Sequence, residues 1–171
     1  MLSVAWSTAS RKSELLNLNV DMILRDFGSL WIVVKEKRKV TSRRKPIPGA
    51  VGDLSIPLTP STHLARWLER SGITSGPLWR KINKSGVVED KRLSRSGFDI
   101  IFKRIIKQSG LDPALYSPHS VRAGFVTYAA KNGHSVAATL AVTGHKDTNS
   151  LKHYFDTQEM LKLHPLLGGK K

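Results

Sequence analysis

The second half of the chain constrains the fold most. From Ser94 onward, apolar residues recur at helical spacing between capping residues and glycines. Ser94 or Ser96 opens a helix to about Ser109, with Phe98, Ile101, Phe102, Ile105 and Ile106 on its inner face and Gly110 beyond it. Pro118 occupies a first helical turn, where its missing N–H costs nothing. The helix that follows turns Val121, Phe125, Tyr128 and Ala129 inward and stops at Gly133. Ser135 caps the next helix, to about Thr143, and Asp147 or Thr148 caps another that carries Tyr154.

The first half is mixed. Residues 2–19 read as helical, and Ser29 to Val34 (SLWIVV) as a β-branched, aromatic strand. A basic run, KEKRKVTSRRK, fills 35–45, and a Pro/Gly-rich turn region fills 46–53. A short strand is expected at 54–58 and another at 86–89. Between them a helix covers 61–71, capped by Thr59 or Ser61 and ended by Gly72. The expected fold class is mainly α with a small antiparallel β-sheet (α+β).

Charge narrows the function. The 171 residues hold 28 Lys+Arg against 13 Asp+Glu, a formal net charge of +15. Such an excess repels itself and points to an anionic partner, with nucleic acid the leading class. Cysteine is absent, which excludes disulfides and thiolate metal sites. No apolar run reaches the ~18 residues of a membrane span. A cytoplasmic location is expected.

Three segments near the C-terminus hold the chemistry: SPHSVRAGF, TGH and SLKHYF. His119 and Arg122 are three residues apart, so they leave one helix face. His145 follows Arg122 by 23 positions, and Tyr154 follows His145 by nine. This order and spacing resembles the tyrosine recombinase family, which includes phage integrases and chromosome-dimer resolvases. Far upstream, Ser10-Arg11-Lys12-Ser13-Glu14-Leu15-Leu16 resembles the first-arginine motif of that family, Arg-x-x-Glu-Leu. The position two residues before Arg11, commonly glycine in the family, is Ala9.

The resemblance implies a catalytic set. Arg11 and Arg122 would be the two arginines, His119 a base, His145 a hydrogen-bonding partner of the scissile phosphate, and Tyr154 the nucleophile. Glu14 would be a structural acid. A catalytic lysine on a β-hairpin would be Lys39 or Lys37, with Lys35 a further candidate. Arg38, Arg43, Arg44 and Lys45 of the same basic run would contact DNA. Residues 1–157 would be the catalytic domain, lacking the N-terminal clamp domain of the family. Residues 158–171 would be a tail able to pack in trans. The implied partner is double-stranded DNA, bound by a homotetramer that exchanges C-terminal segments, with a monomer in isolation. No metal and no cofactor is implied.

These residue types suit attack on a phosphodiester. Guanidiniums stay charged and grip phosphate oxygens in a planar fork. A phenol with pKa near ~10 needs neighbouring cations and a base before it attacks. Arginines would supply the charge stabilisation that a metal supplies in other phosphoryl transfers. Two rival functions remain open: a type IB-like topoisomerase with a similar residue set, and a DNA-binding remnant that no longer cuts. Tyr116 and Tyr128 lack the offset from His145 that marks Tyr154. His63, His134, His153 and His164 share no metal-ligand spacing, and the four tryptophans read as packing residues.

Overall fold

The computed structural model describes residues 1–26, 29–35, 42–49, 59–145 and 148–163, with backbone alone for Lys35 and 158–163. It is mainly helical with two small antiparallel sheets. The expected strand at 54–58 lies outside the described residues. Among the described residues, no helix is long and apolar enough to cross a membrane.

The expected helix at 2–19 is two helices, α1 (Leu2–Ser7) and α2 (Lys12–Leu16). Hydroxyls cause the break, because they offer the backbone local partners outside the helix ladder. Thr8 Oγ1 donates to Val4 O at 2.6 Å and lies 2.7 Å from Ser10 Oγ. Ala9 then turns the chain with φ +46°, in the left-handed region that glycine tolerates better. This turn sets Arg11 at the start of α2.

Three strands form the first sheet, in order β1 (Ile23–Asp26), β2 (Ser29–Lys35), β3 (Ser42–Ile47). β3 falls where a basic run and a turn were expected. Among the described residues it is an edge strand, which is where a strand tolerates Pro46. Leu30, Ile32 and Val34 of β2 face the core, opposite Ile47, Lys45 and Arg43 of β3. A separate ribbon pairs β4 (Arg80–Ile82) with β5 (Val88–Arg92), so the strand expected at 86–89 lies slightly later.

The helical half follows its caps. α3 (Pro60–Ser71) starts on Thr59, whose side chain accepts from the Thr62 N–H. α4 (Arg95–Gln108) starts on Ser94, and α6 (Val136–Thr143) on Ser135. α5 (Pro118–Lys131) opens on proline, and α7 (Asn149–Leu163) runs unbroken past residue 157. Val4, Leu15, Ile32, Leu64, Leu78, Phe98 and Phe102 are central to the core. α1 packs on α3 and α5, α2 on α4, and α7 on α5 and α6. On α5 the buried residues are Arg122, Val126, Ala129 and Ala130. Tyr128, expected inward, is half exposed and meets the Trp6 ring edge-on at 5.2 Å. Trp67 and Trp79 pack against each other at 6.0 Å.

Candidate active site

Arg122 organises the site. It projects from α5 and is 2% exposed. Its Nη1 donates to Ala9 O at 2.6 Å and to Thr143 O at 2.8 Å. One guanidinium nitrogen thus ties the α1–α2 turn to the end of α6. Its Nη2 is buried and has no hydrogen-bond partner among the described residues. Burial, then the charge of Arg11, pushes Arg122 down to about 10, while Glu14 pulls the other way. It remains charged at neutral pH.

Arg11 reaches the same place from the start of α2. Its Nη1 donates to Glu14 Oε1 at 2.6 Å, and its backbone N–H to Glu14 Oε2 at 3.0 Å. Burial alone would raise the Glu14 pKa. The Lys45 ammonium and the Arg11 hydrogen bonds outweigh it and hold the carboxyl below its usual range. Arg11, Arg122 and His119 line one cleft of about 450 Å³, together with Lys12, Arg95 and Ser117. His119 is at its exposed rim, one α-helical turn before Arg122.

His145 follows α6. Gly144 ends that helix with φ +67°, and a Cβ there would lie 1.2 Å from Arg43 Nη1. Glycine is therefore needed both for the turn and for the seat of the Arg43 guanidinium. His145 Nδ1 is 2.9 Å from Thr143 Oγ1. The hydroxyl of Thr143 donates to Thr139 O at 2.8 Å, so the imidazole Nδ1 carries the hydrogen between them. Burial, then Arg122, Arg11, His119 and Lys45, pushes His145 down to about 4. The neutral ring keeps a bare Nε2. A phosphate oxygen beside it would favour the protonated form and make Nε2 a donor.

Tyr154 lies on α7, half buried, its ring edge-on to His153 at 6.1 Å. The helix is anchored by wholly buried Leu151 and packs on α5, which carries His119 and Arg122. Neither Tyr154 nor His145 lines the cleft itself. Tyr116 is partly buried against the core.

The basic hairpin divides. Lys37, Lys39 and Arg38 lie outside the described residues, and Lys35 is placed only by its pairing with Ser42 at the end of β2. Arg44 is exposed, 3.7 Å from Asp26. Arg43 sits against Gly144, 3.9 Å from Glu14. Lys45 corrects its expected role as a DNA contact. It is 0% exposed, and its Nζ donates to Thr8 O at 2.9 Å and to Glu14 Oε2 at 3.2 Å. Strand alternation turns it inward beside Ile47, where DNA does not reach. Sequence reasoning also passed over Lys12 and Arg95 as cleft residues. Lys12 is ion-paired with Asp99 at 2.9 Å, and only the tertiary approach of the α2 and α4 starts brings these cations to the cleft. Among the described residues, no cluster of three or more His, Asp or Glu side chains could hold a metal ion.

A model of the phage integrase family matches residues 1–160. The chain belongs to that family. The integrase-family chain is 24% identical over 169 residues to an integrase/recombinase xerD homolog of Selenomonas ruminantium, covering 95% of this chain and 48% of that protein. It is 27% identical over 162 residues to tyrosine recombinase XerD of Listeria innocua, covering 90% and 48%. It therefore spans about half the length of the relatives it matches. The fold recurs in the crystal structure of XerH site-specific recombinase bound to palindromic difH substrate, at TM-score 0.71 and 19% identity over 94% of this chain and 42% of that one. The XerA recombinase structure gives TM-score 0.69 at 18% identity, over 95% and 55%.

Proposed function

We propose that this integrase-family chain is the DNA-cutting part of a site-specific recombinase, breaking and rejoining double-stranded DNA through a 3′-phosphotyrosine at Tyr154. The observation that carries the reading is the buried, unpartnered Nη2 of Arg122 beside Arg11 and His119. A phosphate oxygen satisfies that donor, and the surrounding cations offset its charge.

In this reading Tyr154 Oη attacks phosphorus and forms the P–Oη bond. His119 takes the phenol proton. Arg11 and Arg122 hold the non-bridging oxygens, and His145 donates to one of them. The P–O5′ bond breaks, and a hairpin lysine among Lys35, Lys37 and Lys39 gives the leaving oxygen its proton. A 5′-hydroxyl from another strand then reverses the sequence and releases Tyr154. Bond energy is conserved in the phosphotyrosine, so joining needs no ATP. Arg43, Arg44 and Arg38 would assist in binding DNA, and the assembly on DNA would be a homotetramer linked by C-terminal segments.

The test is covalent trapping on a nicked suicide duplex carrying a site that the protein selects from random-sequence DNA. Wild type forms a denaturant-resistant adduct. Tyr154→Phe forms none and binds the duplex as wild type does. An adduct with the phenylalanine variant overturns the assignment.

A further inference from the structure

The buried lysine of β3 has no part in the reaction just described, and an apolar residue would fit its place at lower cost. Lys45 faces the core opposite Ile32, with Ile47 next on the same side of the strand. Lysine is almost never wholly buried unless paired. A buried ion pair is also often no more stable than the hydrophobic residues that could replace it. Burial pushes the Lys45 ammonium down to about 8, so the fold holds this charge against an opposing cost.

Its two bonds say what the charge holds. One goes to Thr8 O, the residue before Ala9, whose own carbonyl is held by Arg122. Two cations thus pin consecutive carbonyls of the left-handed turn that leads into Arg11. The other goes to Glu14 Oε2, and Glu14 grips Arg11 by both side chain and backbone. Arg11 itself is 45% exposed, and among the described residues Glu14 is its one side-chain hydrogen-bond partner.

We infer that Lys45 is a positioning residue for DNA cleavage, which fixes the Arg11 guanidinium through Glu14 and the Thr8 carbonyl. It rests on the reading of the cleft as a phosphate site. Lys45 does not touch the phosphate. It acts by keeping Glu14 from swinging and the 8–10 turn from relaxing, so that Arg11 meets the phosphate already aimed. Small misplacement of such a group is enough to cost about 10²-fold in rate.

Lys45 and Glu14 have opposite charges, and a double-mutant cycle separates positioning from plain electrostatics. The experiment measures the rate of adduct formation on the suicide duplex, with duplex affinity and thermal melting alongside, for Lys45→Met, Glu14→Gln and the pair. Positioning predicts that both single variants lose about 10²-fold in rate. The double variant loses no more than either, duplex affinity stays near wild type, and Lys45→Arg recovers part of the loss. If Lys45→Met slows cleavage, Glu14→Gln speeds it and the pair returns to wild type, charge alone acts and the inference fails. If Lys45→Met cuts at the wild-type rate, or all three variants fail to fold, it fails as well.

A wild-type chain that forms no adduct counts against the proposed function rather than against Lys45. Titration with inorganic phosphate, followed by NMR shifts of the His119 and His145 rings, then decides. Positioning weakens phosphate binding in both single variants. Charge alone weakens it in Lys45→Met and tightens it in Glu14→Gln, which refutes the inference.

Discussion

On the proposed reading Arg122 has two jobs on two nitrogens, and a pair of substitutions should pull them apart. Nη1 makes two charge-assisted bonds to buried backbone carbonyls, at 2.6 and 2.8 Å. Each such bond contributes about 1.5–3 kcal/mol, and its loss leaves a carbonyl without a partner. Two effects reduce the total: water enters the cleft to solvate the carbonyls, and Arg122 no longer repels Arg11 and Arg43. Arg122→Ala is therefore expected to cost about 2–4 kcal/mol. For a domain of this size that lowers Tm by roughly 5–15 °C. Arg122→Lys places one ammonium near both carbonyls and should lose about 1–2 kcal/mol. It has nothing in the place of Nη2, so its single-turnover cleavage should fall by about 10²–10³-fold, as for other lost oxyanion donors. Melting by circular dichroism and adduct formation on the suicide duplex read the two effects separately. A lysine variant that cuts within a few-fold of wild type would refute the role given to Nη2. An alanine variant that melts with wild type would refute the role given to Nη1.

Three further outcomes follow from the same geometry. Gly144→Ala must adopt φ +67° and displace the Arg43 guanidinium, so it should lose at least about 1–2 kcal/mol in chemical denaturation; Arg43→Ala in that background should recover part of the loss. His145 is pushed from 6.5 to about 4 on folding, so the unfolded chain binds more protons in that window. Its contribution is fully present above pH 6.5 and is lost as pH falls toward 4, and His145→Gln should show a shallower fall in stability over that range. Leu151→Ala opens a cavity under α7 and should cost about 2–5 kcal/mol by urea denaturation, with cleavage by Tyr154 falling more than DNA affinity.

The helical half was legible because its signals are local. Ser94, Ser135 and Pro118 act on backbone groups within three residues, so a reader of the chain sees the whole cap. The pair Arg11 and Glu14 is legible for the same reason. β3 was not. Its inward position is a lysine, so Ser42–Ile47 lacks the apolar alternation of a half-buried strand. What makes Lys45 an inward residue is Glu14, 31 positions away, which no window contains. The inner face of α5 was misread at Tyr128 because that helix is apolar on several sides. Its true inward row includes Arg122, whose burial depends on the carbonyls of Ala9 and Thr143. The break after Ser7 was hidden because Thr8 and Ser10 act together through one hydroxyl contact.

Several residues whose inward placement the sequence hid are also costly ones, and this has a physical reason. A sequence window reports what stabilises a segment on its own terms. Lys45, Arg43 and Arg122 weaken theirs, since each places a positive charge where packing favours an apolar group. With Arg11 they surround Glu14, so one carboxylate faces four cations. The excess is tolerable only because the hydrogen bonds to Thr8, Ala9 and Thr143 spread it over backbone dipoles. Such a site gains most from an added anion, since each phosphate oxygen both fills a donor and relieves repulsion among the cations. Local rules fail here because the partners within the chain lie 21 to 113 positions away, and the further one proposed, a phosphate, lies outside it.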